Sequence, residues 1–325
     1  MNKIICGDAL SVLKGMESES IDLFMTSPPY YRQRMYGNID GEIGNESEMN
    51  EYLDSLLSIF GEMYRCAKNT GSIVFNIGDK YIDGGLSLLP YRFAMRAVDE
   101  YGVSLINTIL WSKTNPTPRQ DKRKLVQAHE PFFIFAKNPK QYKFNIDDYL
   151  IGDLKNKKIK KERKNIGASY RSQIDGSNLS DLEKENAHRA LTDAIEDVSS
   201  GRIDDFRMKI RDVHKEAFGG QEGGRNREIR NKGFSIIRLY GRPMKKDVLE
   251  TAVANTKGID HPAVYPTEIC DEIIKLLTDE GDIVCDTFCG SGSTCVSSKK
   301  LNRRYIGIDI NERYVDVANK RLSNV

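Results

Sequence analysis

Ser27 stands between an apolar run and two prolines, in the stretch Ile-Asp-Leu-Phe-Met-Thr-Ser-Pro-Pro-Tyr over residues 21–30. A hydroxyl at such a point can give or take a hydrogen bond from a ligand, and Tyr30 adds an aromatic face beside it. Pro28 and Pro29 carry no N–H for a sheet ladder, so the strand ends there. Each also keeps the residue before it out of the helical region. The product is a stiff, extended corner at the carboxyl end of a strand, the edge where open α/β sheets bind ligands. The plainer alternative is a proline-rich turn with a tyrosine packed on it.

A second constellation lies far along the chain. Asp286-Thr-Phe-Cys-Gly290-Ser-Gly292 reads as a strand-to-helix turn. Glycine lets the backbone approach a ligand, and a helix N-terminus offers free N–H groups. Asp309 follows Asp286 by 23 residues, the spacing at which a nucleoside-binding βαβ unit places an acid for ribose hydroxyls. Cys295 occupies the place of a third glycine, which disfavours NAD and fits a smaller nucleoside cofactor. The six cysteines form no Cys-x-x-Cys pair and interleave with no histidines at zinc spacing, so no metal site is expected.

The elements that must position these groups follow α/β grammar. Residues 3–8 read as a strand, 9–18 as a short helix and 21–25 as the next strand, the mark of a parallel βαβ unit. A glycine-punctuated loop over 31–47 carries Arg32 and Arg34. Ser47 or Asn50 caps an amphipathic helix over 48–67, followed by strand 72–77, helix 88–101 and strands 103–111 and 132–137. From 151 to about 250 the chain is basic and glycine-rich; helices are expected over 180–198 and 204–218, with a flexible basic loop over 218–227. After 256 come helix 267–277, strand 282–286, helix 295–301, strand 305–308 and a last helix to 321 capped by Asn311, a second βαβ unit. The expected fold is therefore a mostly parallel sheet with helices on both faces and a smaller region inserted into it.

With 325 residues, the chain allows one large domain or two ordinary ones. At 39% hydrophobic and 30% charged it reads as soluble. No apolar run approaches the roughly 18 residues of a membrane span, and the first residues hold no secretory segment. Scattered free thiols suit a reducing cytoplasm. Net charge is only +2, but residues 151–250 carry a local +6 against −4 elsewhere, and 155–171 hold 8 basic residues to 1 acidic. Such a run is either a solvated face or a seat for a polyanion.

Joined, the two constellations resemble motifs IV and I of the S-adenosylmethionine-dependent amino-methyltransferases acting on DNA. Cys6-Gly7-Asp8-Ala9 resembles motif III, Asn76-Ile77-Gly78-Asp79 motif V, and His129-Glu130 with the apolar run after it motif VIII. Lys257-Gly258 and His261-Pro262-Ala263-Val264-Tyr265-Pro266 resemble motif X, and Asp309 stands where motif II supplies its acid. The matches cover 1–137 and 256–325. Motif IV comes first and motif I last, the order of the β class, so the resemblance implies a Rossmann-like α/β fold in circularly permuted form. It also implies a catalytic and cofactor-binding domain from 1–145 and 256–325, with a target-recognition region over 146–255.

The rest follows from the same resemblance. S-adenosylmethionine is the expected cofactor, held by Asp8, Ala9, His261, Pro262, Asp286, Phe288, Gly290, Gly292, Thr294 and Asp309. Ser27, Pro28, Pro29 and Tyr30 are the expected catalytic corner. Ser27 and the Pro28 carbonyl accept from an exocyclic amine, and Tyr30 stacks on a base flipped out of the duplex. Double-stranded DNA is the expected partner, contacted by Arg32, Arg34, Lys157, Lys158, Lys160, Lys161, Arg225 and Arg227. The Ser-Pro-Pro-Tyr form is typical of cytosine N4 methylation in a restriction-modification setting with a cognate endonuclease. The alternatives are adenine N6 methylation at the same corner and a catalytically silent DNA-binding protein. No cysteine follows Pro28 or Pro29, which disfavours cytosine C5 chemistry. A cytoplasmic monomer or homodimer is expected, without membrane contact.

Overall fold

The computed structural model describes residues 2–34, 39, 41–118, 122–145, 166–215, 224–239, 246–254 and 264–325. They fall into two compact units, one of residues 1–149 with 246–325 and one of 150–245.

The larger unit begins with β1 (Lys3–Cys6), α1 (Ala9–Lys14) and β2 (Ile21–Thr26). Asp8 caps α1, its carboxylate accepting from the Ser11 N–H at 2.8 Å. All six residues of β2 are buried, as befits a central strand covered on both faces. Next come α2 (Met49–Cys66), β3 (Ala67–Asn76), the small hairpin β4 (Tyr81–Ile82) and β5 (Gly85–Leu86), α3 (Leu89–Tyr101), β6 (Ser104–Lys113) and β7 (His129–Ala136). Glu48, rather than Ser47 or Asn50, occupies the N-cap of α2. Glu51 accepts from the Glu48 N–H at 3.2 Å and from the Ser47 hydroxyl at 2.8 Å, so Ser47 serves the cap from outside it.

The second unit holds α4 (Ala168–Asp175), α5 (Asp181–Ser199), β8 (Asp205–Ile210), α6 (Gly224–Lys232) and β9 (Phe234–Leu239). Its core joins Leu191 and Ala194 of α5 to Phe206, Met208 and Ile210 of β8 and Phe234 of β9. Two expectations fail here. The segment from 204 makes a strand where a helix was expected, because Phe206 and Ile210 fit a spacing of four as well as of two. Burial of Met208 between them, with Arg207 exposed, settles the period at two, and β8 pairs antiparallel with β9. Residues 224–227, expected in a loop, open helix α6.

The chain then returns through β10 (Val248–Thr251), α7 (Thr267–Leu277), β11 (Ile283–Asp286), α8 (Ser293–Lys300), β12 (Arg304–Asp309) and α9 (Glu312–Leu322). β10 pairs with β6, so residues 248–251 belong to the main sheet. Its eight described strands run in the order β1-β12-β11-β2-β3-β7-β6-β10. Among them only β7 is antiparallel to its neighbours. Alternate residues of β2 feed two cores. Phe24 packs with Leu13, Phe60 and Phe93 on one face, while Leu23 and Met25 pack with Ile269, Ile273 and Ile274 of α7 on the other. Among the described residues, no helix is long and apolar enough to cross a membrane.

Phe60 centres the first core, with ring centroids of Phe135, Phe93, Tyr101 and Phe75 at 5.2, 5.7, 5.7 and 6.3 Å. Phe60→Ala empties a site with no exposed edge, and the expected loss in urea-unfolding free energy is about 3–5 kcal/mol.

Candidate active site

Sheet order brings the two constellations together. β11 lies against β2, with Cys285 opposite Phe24, so Asp286 ends its strand beside Thr26. The Thr26 hydroxyl donates to Asp286 Oδ1 at 2.7 Å. Thr26 Oγ1 in turn accepts from the Phe288 N–H and from the Thr287 hydroxyl, each at 3.2 Å. Asp286 also accepts from the Phe288 N–H at 3.1 Å. The carboxyl is only 3% exposed, and burial pushes its pKa up to about 6 against the hydrogen bonds that lower it.

The corner itself is built on buried supports. Pro28 is buried and Ser27, Pro29 and Tyr30 are half-buried. The Tyr52 hydroxyl of α2 donates to the Pro29 carbonyl at 2.8 Å. Any Cβ at Gly78 would stand 2.4 Å from the Tyr30 ring, so glycine is required where that ring lies on the chain leaving β3. Asn76, the last residue of β3, gathers the hydroxyls. Its Oδ1 accepts from Tyr30 at 2.6 Å and Tyr265 at 2.7 Å, with Ser27 farther off at 3.4 Å. Its amide is oriented by donation to the Pro131 carbonyl at 2.8 Å. Tyr30 OH also reaches Glu130 Oε2 at 2.9 Å, so its one proton has two acceptors. Glu130 is paired with Lys113, whose ammonium lies 4.8 Å from the Trp111 ring centroid. Burial, then the nearby Glu130 charge, holds the Tyr30 phenol well above its usual range, and burial does the same for Tyr265. Both remain protonated donors. Ser27 donates in both of its contacts, to Tyr30 and to Asn76 at 3.4 Å, so these contacts engage its proton and leave its lone pairs to the cavity side.

At the other end, Asp309 closes β12 beside the glycine turn. Its carboxylate accepts from the Gly290 N–H at 2.8 Å and the Asn311 N–H at 2.9 Å, and burial raises its pKa. β1 pairs with β12, Cys6 opposite Asp309, which sets Asp8 next to it. Gly292 has φ +77, and a Cβ there would meet Ala318 at 2.9 Å. Arg321 holds the Ser291 carbonyl at 2.7 Å and the Ser293 hydroxyl at 3.2 Å, fixing the turn from below.

A cavity of about 690 Å³ joins these parts. Asp8, Ala9, Ser27, Pro28, Pro29, Tyr30, Arg32, Arg34, Asp286, Phe288, Gly290 and Asp309 of the expected site residues line it. Gly292 and Thr294 do not: the glycine shapes the turn, and Thr294 is buried inside α8. Arg32 donates from Nε to the Glu46 carbonyl and from Nη2 to the Ser47 carbonyl, both at 2.9 Å, so Arg32 braces its own loop. Arg225 and Arg227 are exposed on α6 of the second unit. His261, Pro262, Lys157, Lys158, Lys160 and Lys161 lie outside the described residues. His129 is exposed, and Glu130 beside it carries the polar contact. The resemblance set Asn76, Glu130 and Tyr265 within motifs V, VIII and X without naming them as site residues, and Lys113 and Trp111 carried no such signal.

A family model described as DNA methylase, N6_N4_Mtase, matches residues 21–320. The type II methyltransferase M.SfiI of Streptomyces fimbriatus is 26% identical, over 95% of this chain and 88% of that one. The cytosine-N4-specific PvuII DNA methyltransferase superposes with a TM-score of 0.61 at 21% identity, covering 98% of this chain and 85% of its own. A Thermus thermophilus protein described as a DNA modification methylase, solved in complex with S-adenosyl-L-methionine, gives 0.54 at 18% identity, covering 100% and 95%.

The raised Asp286 pKa has a definite sign. A carboxyl that titrates higher in the folded chain adds stability below its unfolded pKa and loses it as pH rises through about 6. Asp286→Asn keeps the oxygen that Thr26 donates to and removes the titration. Relative to the variant, the native chain should lose about 3 kcal/mol of unfolding free energy between about pH 4 and 7. Urea denaturation across that range measures it, and parallel curves would count against the assignment.

Proposed function

The chain belongs to the DNA methylase family N6_N4_Mtase, and from that premise we propose that it transfers a methyl group from S-adenosylmethionine to the N4 amine of a flipped cytosine in double-stranded DNA. The observation that carries this reading is the corner at Ser27, open to the same cavity as the glycine turn. The lining suits the cofactor: Asp8, Asp286, Asp309 and Glu42 offer carboxylates to a nucleoside that bears cationic groups. Asp309 and Asp8 would hold the ribose hydroxyls and the adenine amine, and the turn over Phe288 and Gly290 would take the rest. When bound, S-adenosylmethionine supplies an electrophilic methyl group on sulfur.

An exocyclic amine is a poor nucleophile because its lone pair is shared with the ring. Ser27 Oγ and the Pro28 carbonyl accept its N–H bonds and favour the geometry in which the lone pair is free. Ser27 is suited to accept, since in its contacts within the protein it donates its proton and keeps its lone pairs. After transfer the amine must lose a proton. That proton passes to Ser27 Oγ as the Ser27 proton moves to Tyr30 and the Tyr30 proton to Glu130 Oε2, along links of 3.4 and 2.9 Å. Asn76 is neutral and cannot take it, but it holds both hydroxyls in place. The second unit is assigned to target recognition, with Arg225 and Arg227 at the groove. A cognate restriction endonuclease fits the type II relatives.

Sequencing and nucleoside analysis of DNA from a host expressing the protein test this directly. N4-methylcytosine at one short site is the expected product. N6-methyladenine alone would move the assignment to the other amine. In the purified protein, Ser27→Ala should lower kcat about a hundredfold while leaving cofactor affinity unchanged, the scale of losing one transition-state hydrogen bond.

A further inference from the structure

Apolar side chains stand exposed at the mouth of the cavity. The β4–β5 hairpin turns at Asp83 and Gly84, φ +49 and +87, the left-handed pair of a tight two-residue turn. Asp79 pins its base, accepting from the Lys80 N–H at 2.9 Å, the Ser87 hydroxyl at 2.5 Å and the Leu88 N–H at 3.2 Å. Lys80 and Tyr81 line the cavity. Just beyond them, Ile82 is 37% and Leu86 47% exposed.

A second segment, Lys122-Arg-Lys-Leu-Val126, lies against this hairpin. The Lys124 ammonium is 4.1 Å from the Tyr81 ring centroid. Gln127 lines the cavity and donates to the Asp79 carbonyl at 3.4 Å. Between them Leu125 is 91% exposed. A leucine held out in water next to a cavity, with Lys122, Arg123 and Lys124 before it in the chain, matches a partner that is apolar within and anionic at its borders. Stacked bases between phosphate backbones have that character. A second copy of this surface does not, because two-fold contact would bring like charges together.

We propose that Leu125, backed by the β4–β5 hairpin, is a wedge that enters the duplex where the target base leaves it and fills the vacated place in the stack. The inference rests on the reading that a flipped base enters the cavity. Extruding a base breaks stacking and pairing, and an apolar side chain inserted in the gap offsets that cost. Lys122–Lys124 hold the phosphates on either side.

The test uses two duplexes carrying the site found by sequencing, one fully paired and one with the target base opposite an abasic position. Leu125→Ser should lower kcat/KM on the paired duplex about tenfold or more (about 1.4 kcal/mol), and less than about twofold on the other. Leu125→Met, which keeps an apolar chain of similar length, should restore the native ratio. Equal losses on both duplexes, or none on either, would overturn the wedge. So would a shift from dimer to monomer in sedimentation of Leu125→Ser, which would make Leu125 a contact between copies. Native protein inactive on both duplexes would instead overturn the methyltransferase reading beneath it.

Discussion

The hydrogen bond from Thr26 to Asp286 joins two strand ends that are 260 residues apart in the chain. Everything proposed for the site depends on that junction. It requires β2 and β11 to be neighbours, which the sheet order provides. It requires β2 to end there, which Pro28 and Pro29 enforce by offering no N–H to continue the ladder. Thr26 links the last rung of one strand to the first turn after the other. The proline corner and the glycine turn thus share one wall. Burial also raises the Asp286 pKa to about 6, so the junction ties the site and the stability of the sheet to one carboxyl.

Behind the corner, the chemistry is arranged around an uncharged acceptor. Asn76 accepts hydrogen bonds from two phenols on one oxygen, while its amide is anchored to the backbone of β7. A carboxylate in that place would be a buried charge without a cation of its own. The charge of the corner is placed one step away, on Glu130, and is balanced by Lys113. Hydroxyl protons therefore point inward, and Ser27 is left to accept from the cavity side. On the proposed function, positive charge developing on an amine would meet oriented oxygen atoms in a partly dry site, where such dipoles act most strongly.

Much of this was legible in the sequence because the decisive punctuation is local. The proline pair, the glycine turn and the Asp309 spacing each specify a strand end by rules that need no tertiary knowledge. Alternation in β2 and the stripes of α2 and α7 then give the two cores. What sequence could not supply was convergence. Asn76, Glu130 and Tyr265 meet only because β3 and β7 pair and the residues before α7 come over them, and no spacing along the chain encodes that. Thr294, expected at the cofactor from the glycine motif, is buried in α8 and does not line the cavity. β8 was misread because a short segment with apolar residues four apart satisfies both periods, and only the burial of Met208 separates them.

The central claim is that the glycine turn and the proline corner form one site for cofactor and target base. A crystal structure of the protein with S-adenosylmethionine tests it most directly. The cofactor should occupy the cavity lined by Asp8, Asp286, Phe288, Gly290 and Asp309, in the same enclosure as Ser27. Density bound anywhere outside that cavity would contradict the account.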